Sequence, residues 1–158
     1  MAADLSALND GTSEPTGLVI ERVGDGDTLK QFSHTAVLGL GLPASTGDAF
    51  NELWATAGVG PDLPLRHYLG WLDGKPVATS SLMLGAGVAG IYIVVTVPEA
   101  RRKGIGTAMT LAACREARAL GYRVAVLGAT KMGYGVYQKL GFREICKTDY
   151  YVWKYDTE

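Results

Sequence analysis

The run Gly90-Ile91-Tyr92-Ile93-Val94-Val95-Thr96-Val97 is β-branched almost throughout, and Pro98 ends it. A run this continuously apolar predicts a strand covered on both faces, in the interior of a sheet. After a short loop, Ile105, Ala108, Met109, Ala112, Ala113, Ala117 and Leu120 recur at helical spacing. Thr107, Thr110, Arg115, Glu116 and Arg118 fall mostly on the other face, so the spacing predicts an amphipathic helix over 104–120. Gly121 stands where a helix C′ glycine belongs. A second short apolar run, 124–127, reads as another buried strand. Strand, loop, helix and strand in this order demand a mixed α/β architecture.

The loop itself reads Glu99-Ala100-Arg101-Arg102-Lys103-Gly104-Ile105-Gly106-Thr107. The start of a helix presents unpaired backbone N–H groups and partial positive charge, which suits a phosphate. Gly104 and Gly106 carry no Cβ, so an anion can approach the main chain closely. Arg101, Arg102 and Lys103 add three cations beside it, an arrangement unfavourable at a helix start unless an anion is bound there. A phosphate-bearing ligand is therefore expected.

The remaining chain supplies the rest of a sheet. The pattern predicts a strand over 18–23, helices over 28–38 and 48–57, and a hairpin of 66–72 with 77–84 turned at Asp73-Gly74. A short helix over 134–140 precedes a closing hairpin of 142–146 with 150–154. The expected order is β-α-α-β-β-β-α-β-α-β-β. Residues 1–17 are rich in Asp, Ser, Thr, Gly and Pro and show no sustained period, so they are expected to be a flexible lead-in to one domain over 18–158.

Two nucleotide-binding patterns fail. A Walker A loop needs Gly-Lys-Ser/Thr after four spacers, which this loop lacks. The dinucleotide fingerprint needs a third glycine where Met109 stands and an acidic residue near the end of the next strand, where 124–131 has none. The loop, Arg-x-x-Gly-x-Gly after Val-x-Pro, instead resembles the acyl-CoA-binding motif of the GCN5-related N-acetyltransferases. Tyr137-Gln138-Lys139-Leu140-Gly141-Phe142 is similar to that superfamily's Tyr-x-x-x-Gly-Phe segment, and the element order matches its fold.

The resemblance implies a role for each matching residue. Gly104, Ile105, Gly106 and Thr107 would bind the pyrophosphate of acetyl-CoA through backbone N–H groups. Arg101 would be the leading basic position, with Arg102 and Lys103 beside it. Val95 and Val97 would offer main-chain groups to the pantetheine arm, in a wedge opened between the 90–97 and 124–127 strands. The activity implied is transfer of an acetyl group from the cosubstrate acetyl-CoA to a primary amine, by direct attack on the thioester. Tyr137, by itself a core tyrosine, would be the acid that protonates the departing thiolate.

Two departures stand out. The glutamate that the superfamily often carries on the central strand as base is absent, and Tyr92 is the only ionisable residue there. Tyr92, Glu52, a C-terminal residue and water alone all remain open as the base. Thr130 and Gly133 replace an asparagine and an alanine of the usual pattern before Tyr137. A CoA-binding domain without turnover, acting as a sensor or as half of a tandem protein, is the alternative from another class.

Charge adds one further reading. Residues 1–90 hold ten acids and four bases, and residues 91–158 hold six acids and eleven bases. The basic half contains the expected phosphate loop. Asp25, Asp27, Asp48, Glu52 and Asp62 in the acidic half would favour a cationic or peptidic amine as acceptor. The formal net charge of −1 argues against a nucleic-acid module. His34 and His67 lack metal-ligand spacing, so no metal is expected. Cys114 and Cys146 form no disulfide framework, and Ser80 and Ser81 lack a nucleophile-elbow context. The first residues lack the order of a secretory signal, and the weakly polar run 85–98 is too short and glycine-rich to span a bilayer. A cytoplasmic protein without membrane contact is expected, and homodimers are frequent in the superfamily.

Overall fold

A computed structural model describes residues 1–158 except 13, 61, 150, 152 and 154–158. Among the described residues, six strands form one sheet: β1 (Ala2–Asp4), β2 (Leu18–Arg22), β3 (Leu65–Leu72), β4 (Lys75–Gly85), β5 (Val88–Thr96) and β6 (Val124–Leu127). Their spatial order is β1-β6-β5-β4-β3-β2. Every neighbouring pair is antiparallel except β5 and β6, which run parallel and are joined by a helical crossover. The helices are α1 (Gly26–Leu40), α2 (Gly47–Ala57), α3 (Ile105–Ala119) and α4 (Tyr134–Lys139). The mixed α/β class and the central strand-loop-helix unit are as expected.

Side chains alternate across the sheet and divide the core in two. On one face α3 packs Ile105, Met109, Leu111 and Ala113 with Tyr68, Ala78, Leu82 and Ile91. On the other, α1 packs Leu29 and Phe32 with Val23 and Leu69. Asp25 caps α1, its carboxylate accepting from the Thr28 N–H at 2.8 Å.

The two ends of the chain differ from expectation. The first residues are not a free lead-in. Ala2–Asp4 pairs antiparallel with Val124, Ala125 and Val126, and Leu5 is fully buried. Arg118 donates to the Asp10 carboxylate at 2.9 Å, and Arg115 donates to Glu14 at 2.7 Å. Ala-Ala-Asp has little strand propensity of its own. Ladder hydrogen bonds to the free edge of β6, together with the Leu5 anchor, override it. Of the first arm of the expected closing hairpin, Arg143 bridges Ala2 and 144–149 has no regular structure. The β1 strand already pairs with the edge of β6, and an open groove of about 830 Å³ lies between β1 and residues 141–145. Residues 150, 152 and 154 of that hairpin lie outside the described residues.

Candidate active site

The centre of the site is a fault in the β4–β5 ladder. Ser81 pairs with Tyr92 and Thr79 with Val95, so two residues of β5, Ile93 and Val94, face Ser80 alone. Ile93 takes φ = 49°, a left-handed conformation costly for a β-branched residue. The Thr79 hydroxyl donates to the Ile93 carbonyl at 2.8 Å and fixes the bulge. On the other side, β6 pairs with Ala89, Gly90 and Ile91 only. Beyond Ile91 the β5 edge that faced β6 has no strand partner among the described residues, and a wedge opens.

The loop after β5 leads to a helix start with vacant donors. Gly104, the N-cap of α3, has φ = 80°, a conformation that glycine adopts without strain. The first helical bond runs from the Ala108 N–H to the Gly104 carbonyl at 3.1 Å. No described residue accepts from the N–H groups of Ile105, Gly106 or Thr107, and no side chain caps the helix. Arg102 and Lys103 are exposed and donate to no described residue. Arg101 differs: its Nε donates to the Thr96 carbonyl at 3.0 Å and its Nη2 to the Gly39 carbonyl at 2.9 Å. Of the two valines, Val97 has its main chain engaged, its N–H donating to Val77 and its carbonyl accepting from Ala100. Val95 stands opposite Thr79 in the β4–β5 ladder. The donor set suits an extended anionic ligand laid from the helix start along the open strand edge.

The two tyrosines named from the sequence each rest against a glycine. Tyr137 of α4 is 8% exposed and meets Phe142 edge-on, with ring centroids 6.1 Å apart. Burial raises its hydroxyl pKa, so it is a protonated donor at neutral pH. Gly133 lies under its ring, and the Thr130 hydroxyl accepts from the Gly133 N–H at 3.3 Å. The Thr130 and Gly133 replacements thus have local reasons. Tyr92 is 51% exposed, although Ala89 and Ile91 beside it are buried. A Cβ at Gly90 would fall 2.5 Å from its ring. It is the last residue before the bulge.

Most of the other residues singled out from the sequence serve the frame. His34 Nε2 and Asp48 Oδ1 lie 3.1 Å apart, tying α1 to α2, and Lys30 is 3.8 Å from the same oxygen. Asp25 is a helix cap, and Glu52 is exposed on α2. His67 is 2% exposed, its Nδ1 lies 2.8 Å from the Ser81 hydroxyl, and burial lowers its pKa to about 4. Cys114 is buried, its thiol pushed up to about 12 by desolvation, and is chemically quiet. Among the described residues, no three His, Cys, Asp or Glu side chains gather to hold a metal, and no helix is long and apolar enough to cross a membrane.

Sequence patterns did not disclose the roles of Thr79, Gly39 and Glu116. A glycine inside a helical pattern, as at Gly39, signals close approach of another element; Thr79 carries no such mark. Glu116 gathers the Arg66 guanidinium, the Tyr68 hydroxyl and, at 3.5 Å, Arg22. Burial alone would raise its pKa, but those hydrogen bonds and charges together lower it.

The model of the acetyltransferase (GNAT) family matches residues 42–142. No curated protein matches the chain. A GCN5-related N-acetyltransferase from Kribbella flavida is 23% identical with a TM-score of 0.65, covering 90% of this chain and 52% of its own. A Pyrococcus horikoshii protein assigned as an acetyltransferase is 18% identical with a TM-score of 0.62, covering 83% of this chain and 45% of its own. This chain thus spans about half the length of both. A predicted acetyltransferase of Clostridium acetobutylicum, solved with acetyl-CoA, is 18% identical with a TM-score of 0.63, covering 87% of this chain and 95% of its own. The structural likenesses show the fold. The family match spans more than half of the sequence, including the bulged strand, the helix start and the seated tyrosine, and the chain belongs to the GNAT acetyltransferase family.

Proposed function

We propose that the protein moves an acetyl group from acetyl-CoA to a primary amine. One observation carries this reading: the vacant donors at the start of α3 adjoin the open edge of β5. The Ile105, Gly106 and Thr107 N–H groups and the exposed Arg102 and Lys103 would hold the pyrophosphate. Val95 lies on the strand along which the pantetheine arm would extend. Tyr137 shares its core cluster with Ile91 and Leu127, the last residues paired before the wedge opens.

The chemistry needs two proton movements. A lysine-like amine, with a pKa near ~10.4, must lose a proton before it attacks, and a thiolate, near ~8.5, must gain one as it leaves. The amine lone pair forms the new bond to the acetyl carbonyl carbon while the carbon–sulfur bond breaks. The Tyr137 O–H then supplies the sulfur's proton and regains one from solvent, while the amine's protons pass to water or a base. Tyr92 and Glu52 stay open as that base. We read the acceptor as a cationic or peptidic amine, on the acidic balance of the first 90 residues.

A thiol-release assay tests this. Polyamines, aminoglycosides and lysyl peptides are offered beside amino acids and anionic acceptors, with acetyl-CoA throughout. Release with the cationic set supports the proposal. Release with anionic acceptors alone sinks the acceptor class. Acetyl-CoA should also stabilise the fold, by ~2.7 kcal/mol at a hundredfold excess over its dissociation constant. Stabilisation without turnover on any amine would favour a CoA-binding domain over an enzyme.

A further inference from the structure

The motif resemblance groups Arg101 with the phosphate-binding residues, yet its side chain is committed elsewhere. Its Nε donates to the carbonyl of Thr96, the last residue of β5, at 3.0 Å. Its Nη2 donates to the carbonyl of Gly39, in the last turn of α1 and 62 residues away, at 2.9 Å. Carbonyls in the last turn of a helix lack intrahelical donors and carry the negative end of its dipole, so a guanidinium there is doubly favoured. The planar fork of arginine serves two acceptors in fixed directions, which a lysine ammonium on a flexible stem does less well.

The contact exists because α1 comes unusually close to β5 at this point. A Cβ on Gly39 would lie 2.1 Å from Val95 Cγ1, so a larger residue would drive the helix end away. Three parts of the site therefore meet at Arg101: the end of the cofactor strand, the start of the phosphate loop and the end of α1. That helix in turn holds α2 through His34 and Asp48.

We infer that Arg101 is a positioning residue that locks α1 to the cofactor strand, and that Arg102 and Lys103 carry the side-chain share of anion binding. The second half rests on the proposed CoA reading; the first does not.

Amide hydrogen exchange with and without coenzyme A, beside calorimetric titration with coenzyme A at two salt concentrations, separates the roles. Arg101→Met should bind coenzyme A within about threefold of the parent, with the same salt dependence. The amides of Gly41 and Leu42, which close the end of α1 on Leu38 and Val37, should exchange at least tenfold faster. Amides inside β3 and β4 should be unchanged, which a general loosening of the fold would not permit. Arg101→Lys should restore part of the protection. Replacing Arg102 and Lys103 together with alanine should do the reverse, weakening coenzyme A about tenfold while leaving the α1 end alone. The inference is overturned if Arg101→Met leaves the α1 end protected, or if it weakens coenzyme A tenfold or more with a flatter salt dependence. Should Arg101→Met fail to fold, Gly39→Ala strikes the same junction without touching the loop's charges and should give the same exchange pattern. Failure of the parent to bind coenzyme A would sink the functional reading while leaving the ligand-free exchange comparison intact.

Discussion

Gly133 lies directly under the ring of Tyr137: a methyl group there would stand 2.9 Å from Cε2. The backbone of Gly133, at φ = −85° and ψ = −19°, is open to any residue, so only the ring excludes a side chain. Gly133→Ala should therefore cost about 1 kcal/mol through forced repacking and slow thiol release by displacing the hydroxyl. Tyr137→Phe keeps the packing and removes the proton donor. It should lower the rate about a hundredfold or more with coenzyme A affinity and thermal stability near those of the parent. Equal rates for Tyr137→Phe and the parent would remove Tyr137 from the mechanism.

Arg102 and Lys103 are exposed cations beside a helix start that already attracts an anion. Replacing both with alanine should weaken acetyl-CoA about tenfold, or ~1.4 kcal/mol. The salt dependence of binding should flatten at the same time, because screening acts on those charges. Titrations at low and high ionic strength check both points together.

His67, packed against Phe32 and Trp54, couples the core to pH. Its pKa is about 4 in the folded protein, against an ordinary value of 6.5, because burial disfavours the imidazolium. Below pH 6.5 the unfolded chain takes up the proton and the folded protein resists it. Stability should therefore be full above 6.5 and decline as pH falls to about 4, by an amount on the order of 3 kcal/mol. His67→Gln should flatten that part of the profile in denaturant titrations across the window. An unchanged slope in this variant would show that other groups set the acid limit.

Leu5 is fully buried beneath α3, on a segment whose composition reads as a free tail. Leu5→Ala should cost roughly 3 kcal/mol, as for other buried leucines. A loss under 0.5 kcal/mol in chemical denaturation would return the segment to the status of a tail.

Glu116 balances two arginines in partial burial. Glu116→Gln should destabilise the fold by about 2 kcal/mol by leaving Arg66 and Arg22 without their shared carboxylate. Tyr68→Phe should cost about 1 kcal/mol, the net value of one hydrogen bond. A double-mutant cycle between the two positions should show strong coupling.

Strong periodicity and local chemistry made the middle of the chain readable. The 90–97 run, the glycines at 104 and 106 and the helix stop at Gly121 all follow from residues acting within a few positions of each other. The Ile93 bulge was hidden because its cause, the Thr79 hydroxyl, lies on another strand. The use of Arg101 was hidden for the same reason, since a cationic motif cannot announce that a helix end 62 residues earlier has claimed the guanidinium. Strand β1 was invisible because Ala2–Asp4 is extended only through what it pairs with.

That last pairing bears on the order in which the molecule is built. Ala2 lies opposite Val126, so the first strand of the sequence has no partner until nearly the whole chain is present. Contacts of such long sequence separation close large loops and are slow to form. The β3–β4–β5 meander, joined by tight turns at Asp73-Gly74 and Ala86-Gly87, can assemble first. Strand β6 should then arrive with α3, and β1 should pair last, covering the outer edge of β6. Strand β1 thus waits longest for its partner, and substitutions in it should slow the final step of folding more than the initial collapse.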